Sequence, residues 1–191
     1  MALFPMFVKL EGRPCLVVGA GRVAEAKIRS LLATGAAVRV VGRSPTSAVK
    51  GWARTGRISW APREFDPGDL DGVVVVVSAT SPEVNERVCR EARRRGVLAN
   101  VVDEPLHCDF YYPAVVRRGD LQIAISTGGN SPALAQRLRK ELEKRFGPEY
   151  ESWVRELGKE RKKLLEQAMN PRHRRRLLHR MASQEPGRPR R

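Results

Sequence analysis

Asp103 is the side chain in this chain best placed to accept a proton. It lies in Asn100-Val101-Val102-Asp103-Glu104-Pro105, as the first acid after a short apolar run. A carboxylate just past the end of a strand suits general-base work, and the same position before Pro105 equally suits a turn or a helix cap. A second chemistry is written in small residues. Gly19-Ala20-Gly21-Arg22-Val23-Ala24 has the spacing Gly-x-Gly-x-x-small. There the first glycine permits a tight turn, the second lets backbone approach a pyrophosphate, and the small third residue lets helix pack on strand. The N–H groups at the start of the following helix face the phosphates. Gly19, Gly21, Arg22, Val23 and Ala24 are therefore the expected dinucleotide cradle, with Thr80, in the segment Ser78-Ala79-Thr80, as a further cofactor contact. The acid that normally binds the adenosine ribose is missing. Val41 is followed by Gly42-Arg43-Ser44, and Arg43 could face a 2′-phosphate or stack on adenine, so the motif leaves NAD against NADP open.

A second anion site is expected at Ser126-Thr127-Gly128-Gly129-Asn130-Ser131, where two glycines precede a helix start and offer N–H groups to a phosphate or carboxylate. Arg117 and Arg118, on a turn, could add guanidinium forks for carboxylates. His107 and Cys108 are adjacent, and no second pair stands at ligand spacing, so no metal site is expected. Cys15 reads as core, and Cys15, Cys89 and Cys108 are too few and too scattered for a disulfide framework.

Alternating strands and helices must position these residues. Cys15–Val18, Val38–Val41, Ile58–Trp60, Val73–Val77 and Leu98–Val102 read as strands. Helical spacing over 22–34 ends at Gly35, and a second helix runs from Pro82 to about Arg95, ending at Gly96. Asp66 to Asp71 reads as a polar connection. Strand, glycine turn, helix, strand is a right-handed βαβ unit. The fold class is α/β: a Rossmann-like, doubly wound parallel sheet. After it, Tyr112–Val116 and Leu121–Ile125 form a hairpin around Arg117-Arg118-Gly119-Asp120, and a helix starts at Ser131-Pro132 with Leu134, Leu138, Leu142 and Phe146 on one stripe. Helices over 149–168 and 171–182 complete a C-terminal helical region. The expected division is 1–112 for the nucleotide domain, 113–147 for a small α+β segment, 148–183 for the helical region and 184–191 for a disordered basic tail.

Six blocks, in order and with matching spacing, carry a family resemblance. They are Leu3-Phe4-Pro5-Met6-Phe7, the stretch from Val17 to Lys27, Ser78-Ala79-Thr80-Ser81-Pro82-Glu83-Val84-Asn85, Asn100 to Pro105, Phe110-Tyr111-Tyr112-Pro113-Ala114, and Ile125 to Ala135. Over residues 3–147, and more loosely to 182, the chain resembles the precorrin-2 dehydrogenase family, the amino-terminal part of siroheme synthase and its stand-alone relatives. The resemblance implies NAD as acceptor of a hydride from precorrin-2, sirohydrochlorin as product and, in some members, insertion of ferrous iron to give siroheme. It implies that Asp103 serves the dehydrogenase step and, where present, chelation, and that Arg22, Val23, Arg43 and Ser44 contact the dinucleotide. It implies that Thr127 stands where fused relatives carry a serine that is sometimes phosphorylated. It further implies a homodimer formed through the segment after the nucleotide domain, with the active site in a cleft between domains. The family tolerates Ala24 and generally lacks the ribose acid, so NAD is the expected cofactor.

Composition agrees with an acidic ligand. The formal net charge is +15, and the last 21 residues hold eight arginines against the single acid Glu185. The remaining basic body favours a polyanionic substrate such as a polycarboxylated tetrapyrrole. The arginine-rich tail raises nucleic-acid binding as a rival function, but it lacks interleaved aromatics and a binding fold. No apolar stretch approaches a membrane span, and the start of the chain lacks the regions of a signal peptide, so a cytoplasmic location is expected.

Overall fold

The structure, a computed structural model, describes residues 3–184 and 186. The chain divides into two compact units, Met1–Tyr111 and Tyr112–Arg191.

In the first unit, β1 (Pro14–Val18), β2 (Ala37–Val41), β3 (Ser59–Ala61), β4 (Val75–Ser78) and β5 (Leu98–Val101) form one sheet in the order β3-β2-β1-β4-β5. Every pairing is parallel. This is the dinucleotide-binding order, with its switch point between β1 and β4. The helices are α1 (Arg22–Leu32), α2 (Ser47–Arg54) and α3 (Pro82–Arg95). Side chains alternate across the sheet with period two. Cys15, Val17, Val38, Val40, Val75 and Val77 share one core with Ala24, Ile28 and Leu31 of α1 and Val49 of α2. Leu16, Val18, Val41 and Val76 share the other with Val88 and Ala92 of α3. A strand buried on both faces must be apolar throughout, which is why β1 and β4 read as continuous runs.

Three local readings change. α2 was not legible, because its eight residues include Gly51 and bury only Val49 fully; Thr46 caps it by accepting from Val49 N–H at 3.2 Å. The valine strand begins at Val75 and ends at Ser78, with Val73 and Val74 leading in. The connection over 66–71 contains a 3-10 turn, Pro67–Leu70, closed by a capping box between Asp66 and Asp69.

The second unit carries β6 (Ala114–Arg118), β7 (Leu121–Ile125), α4 (Pro132–Arg145), α5 (Glu149–Glu166) and α6 (Pro171–Ala182). β6 and β7 pair antiparallel from Ala114↔Ile125 to Arg118↔Leu121. Only Gly119 and Asp120 therefore form the turn, and Arg117 and Arg118 belong to the strand. Among the described residues, Ala114, Val116 and Ala135 are this unit's buried apolar side chains. Leu138, Leu142 and Phe146 are half-buried and Leu134 is exposed. Phe146, Tyr150 and Trp153 stack edge to face, with ring centroids 5.1 and 5.6 Å apart. No helix among the described residues is long and apolar enough to cross a membrane. The disordered tail expected over 184–191 lies outside the described residues except for Gln184 and Pro186.

Candidate functional site

Parallel strands carry their ligands at their carboxyl ends. At that edge β1 leads into the glycine turn, β2 into Gly42-Arg43-Ser44, β4 into Ala79-Thr80 and β5 into Val102-Asp103. The sheet thus brings Asp103 and every expected dinucleotide contact in this unit to one side. A 460 Å³ depression lined by Pro14, Ala37, Arg39 and Ser59 lies at the opposite ends of β1 to β3, away from these loops.

The glycine turn has a steric cause at each position. Gly19 has φ +107°, and a Cβ there would sit 2.3 Å from the Ala79 carbonyl oxygen, so the backbone just after β4 demands glycine. A Cβ at Gly21 would meet nothing within 4 Å. That residue is the N-cap of α1, and no side chain caps the helix. Open space over uncapped N–H groups fits a pyrophosphate. Ala24 is fully buried against the sheet, whereas Arg22 and Val23 are exposed beside the turn. These residues fit a dinucleotide.

The end of β2 shows why no acid follows Val41. A Cβ on Gly42 would lie 2.9 Å from Ala20 N, and the Gly42 carbonyl accepts from Trp60 Nε1 at 2.9 Å. An acid does reach this corner, but from the loop after β3: Glu64 Oε1 lies 3.4 Å from Arg43 Nη1, with both side chains exposed. Thr46 N–H donates to the Ala20 carbonyl at 3.1 Å, and hydrogen bonding from Thr46 and then Arg29 holds the Glu25 carboxyl below its ordinary range. Ser44 and Thr80 are both exposed.

Asp103 is the one non-glycine residue with positive φ, +62°, among the described residues, and its side chain is exposed. Aspartate tolerates this left-handed conformation better than most residues. The conformation turns the chain sharply out of β5, and Val102 N–H anchors the turn on the Ser78 carbonyl at 3.0 Å. Glu104 follows with both oxygens engaged: Oε1 accepts from Asn85 Nδ2 at 3.0 Å and Oε2 lies 2.8 Å from His107 Nδ1. Those two bonds, Asn85 first, pull the Glu104 pKa down. Burial pushes the Cys108 thiol up, and it donates to the Val101 carbonyl at 3.1 Å. A protonated, internally bonded thiol is neither a nucleophile nor a ready metal ligand. Among the described residues no three His, Cys, Asp or Glu side chains gather as a metal site.

The second glycine turn, in the other unit, is built differently. Gly128 and Gly129 have φ +61° and +85°. Ser126 Oγ accepts from Gly128 N–H at 3.1 Å and Thr127 Oγ1 from Ser131 N–H at 3.0 Å. The Thr127 carbonyl accepts from both Asn130 N–H and Asn130 Nδ2, and Ser131 Oγ caps α4 at Leu134 N–H. Fewer N–H groups are free than the glycines suggest, because neighbouring side chains occupy them.

Arg118, expected to offer a fork to carboxylates, is engaged with backbone carbonyls. Its Nε donates to the Phe146 carbonyl at 2.8 Å, Nη2 to the Glu143 carbonyl at 3.0 Å and Nη1 to the Arg117 carbonyl at 2.8 Å. The guanidinium caps the carbonyl end of α4, giving three of its five N–H groups to backbone carbonyls. Arg117 is exposed on the same strand. Sequence reasoning also passed over Asn85, 3% exposed at the start of α3, and Ser78, 1% exposed, whose hydroxyl donates to Asn85 Oδ1 at 2.7 Å. A polar residue at the first turn of a helix looks like solvent-facing sequence; only its burial marks it.

Residues 6–114 match the family model described as "Putative NAD(P)-binding", and residues 118–145 match "Sirohaem biosynthesis protein central". The siroheme synthase of Photorhabdus laumondii is 36% identical over 176 residues, covering 92% of this chain and 37% of the relative. That of Methylobacillus flagellatus is 43% identical over 144 residues, covering 75% and 31%. The chain thus spans about a third of the length of these relatives. Among solved structures, SirC, a precorrin-2 dehydrogenase, superposes with a TM-score of 0.79 at 26% identity, covering 94% of this chain and 89% of its own. A Rossmann sheet with a sterically required glycine turn, followed by a segment matching the sirohaem central family model, makes this chain a member of the precorrin-2 dehydrogenase and siroheme synthase family.

Proposed function

We propose that this chain oxidises precorrin-2 to sirohydrochlorin, with NAD as the hydride acceptor. The observation that carries the reading is the common placement, at the carboxyl edge of one 3-2-1-4-5 sheet, of a dinucleotide cradle and an exposed carboxylate. Similarity to SirC over nearly the whole chain supports the substrate.

Bound NAD supplies a two-electron acceptor. The protein's own part is to bind, orient and take a proton. Gly19, Gly21 and the uncapped start of α1 would hold the pyrophosphate, with Arg22, Val23 and Thr80 as further contacts to the dinucleotide. Arg43 and Ser44 would take the adenosine end. Arg43 is paired with Glu64, which lowers the positive charge available to a 2′-phosphate and supports NAD over NADP. Dehydrogenation removes a hydride and a proton from the tetrapyrrole, and the Asp103 carboxylate takes the proton. Arg117 and the Ser126–Ser131 turn, with Thr127, Gly128, Gly129 and Asn130, are the proposed contacts for substrate carboxylates. Homodimeric assembly and a cytoplasmic location belong to the same proposal.

Conversion of precorrin-2 by the purified protein, followed by absorbance with NAD or NADP, tests the reading. Wild type is expected to prefer NAD, and Asp103→Asn to lose about 10²–10⁴ in rate. No product with either cofactor refutes the function, and full activity in Asp103→Asn refutes the assigned base. Ferrous insertion, in which iron is a substrate, is tested separately by adding Fe²⁺ to sirohydrochlorin. The rival nucleic-acid reading predicts salt-sensitive RNA binding, and the tail lacks the aromatic stacking groups that such binding uses.

A further inference from the structure

Asn85 sits where three segments of the catalytic edge meet. Its Oδ1 accepts from the Ser78 hydroxyl at the end of β4, and its Nδ2 donates to Glu104 Oε1 at 3.0 Å, with the Thr80 carbonyl 3.4 Å away. Ser78 and Asn85 are almost wholly buried, at 1% and 3% exposure. Glu104 is joined on its other oxygen to His107 and follows directly on Asp103. Every side-chain polar group of Asn85 is therefore engaged, and what it engages is the pair of loops leaving β4 and β5.

We propose that Asn85, acting through Glu104, is a positioning residue that sets the placement of the Asp103 carboxylate relative to the Thr80 loop. The proposal rests on the reading of Asp103 as proton acceptor. Asp103 itself makes a left-handed turn with an exposed side chain, so nothing in its own conformation locks the loop. Val102 N–H ties the entry of the loop to Ser78, and the Cys108 thiol and the Asp109 carboxylate tie its exit to Val101 and Ala99. Between these ends α3 holds the loop at three places: Cys89 Sγ and Arg93 Nη2 donate to the His107 and Leu106 carbonyls at 3.5 and 3.4 Å, and Asn85 grips Glu104, the side chain next to Asp103. A buried amide is suited to this task, since its donor and acceptor ends point opposite ways and fix both loops to one helix. A shift of about 1 Å in a reacting group costs on the order of 10²-fold in rate.

Glu104→Ala, Glu104→Gln and Asn85→Ala, each made alone and with Asp103→Asn, test this in the full-length protein. Glu104→Ala should lower kcat for precorrin-2 about 10–100-fold while the KM for NAD moves less than about twofold, as expected for misplacement rather than lost binding. Glu104→Gln keeps an oxygen for Asn85 and should stay within about threefold of wild type. In the Asp103→Asn background, Glu104→Ala should cost less than about twofold, because residues acting as one unit are not additive. Amide hydrogen exchange over 102–108 should speed up at least about tenfold in Glu104→Ala and Asn85→Ala. Equal losses in Glu104→Ala and Glu104→Gln, an undiminished Glu104→Ala loss in the Asp103→Asn background, or unchanged exchange over 102–108 would overturn the proposal. Wild type that fails to oxidise precorrin-2 refutes the assigned function instead, and the exchange comparison then decides whether Asn85 and Glu104 order the loop. Glu104 is partly exposed, so its variants carry the test if Asn85→Ala does not fold.

Discussion

The chain carries two glycine turns that each lead into a helix, and they differ in what the glycines are for. At Gly19 the glycine is required by packing: the Ala79 carbonyl occupies the place of a side chain, and the N–H groups beyond it stay uncapped by any side chain. At Gly128 the nearest atom to an added Cβ is Asn130 Nδ2, a comfortable 3.7 Å away, and only the backbone angle calls for glycine. The first turn is a cradle held open by a strand. The second is a loop that satisfies itself, with hydroxyls from Ser126, Thr127 and Ser131 already taking N–H groups. Similar-looking sequence therefore encodes a turn with N–H groups uncapped by side chains in one unit and a self-capped turn in the other, where a ligand would have to displace a hydroxyl to reach an N–H.

Exchanging the glycines for alanine is the strongest way to break this contrast. Gly19→Ala forces a methyl into the Ala79 carbonyl at a strained φ and should cost about 3 kcal/mol of stability. It should also abolish NADH binding, read by fluorescence titration beside urea unfolding. Gly128→Ala should cost only about 1–2 kcal/mol, with NADH affinity unchanged. Comparable loss of NADH affinity in both would erase the distinction.

Next comes the arginine pair. Arg118→Ala removes two bonds to carbonyls at the end of α4 and one to the Arg117 carbonyl on β6, and should lower stability by about 2 kcal/mol, leaving the KM for the tetrapyrrole unchanged. Arg117→Ala should do the reverse, raising that KM with little change in the urea midpoint. A KM effect confined to Arg118→Ala would return its guanidinium to the substrate site.

A smaller effect is expected at Thr127→Ala, which frees Ser131 N–H near the surface and should cost about 0.5–1 kcal/mol. If that freed N–H is an anion site, phosphate should protect the variant against thermal unfolding more than it protects wild type. Equal protection would count against the turn as a substrate contact.

Asp103→Gly should be nearly neutral for stability, within about 0.5 kcal/mol, since relief of the left-handed strain offsets the added freedom of the unfolded chain. It should be as inactive as Asp103→Asn. The acid limb of stability provides the last check. The Glu104 pKa is lowered in the folded protein, so its stabilising contribution is complete above the ordinary carboxylate range and disappears as pH falls through the lowered folded value. Glu104→Gln should flatten that limb, and an unchanged acid transition would mean that its bonds to Asn85 and His107 contribute nothing.

Much of the nucleotide unit was legible because its signals are local. Apolar runs marked β1, β2, β4 and β5, Pro82 and Gly96 bracketed α3, and the glycine spacing stood in its proper strand-to-helix setting. α2 escaped because a short helix with a central glycine and one fully buried side chain has no stripe to read. The missing ribose acid at the end of β2 was legible, but not its cause in the backbone of Ala20, nor the arrival of Glu64 from the loop after β3. Arg118 looked like a ligand fork because a charge pair beside a turn gives no hint of a helix end 25 to 28 residues further on.

The sequence by itself determined the Rossmann order of elements and the places of the first glycine turn and of Asp103 after their strands, since periodicity, turn chemistry and motif spacing act within a few residues. Only the tertiary structure decided which of the two glycine turns is held open and which is filled. It also turned Arg118 into a cap and Asn85 into the link between Ser78 and Glu104. Those outcomes depend on atoms brought together from distant parts of the chain, where a carbonyl at 2.3 Å from a missing Cβ or a buried amide between two loops leaves no trace in local sequence.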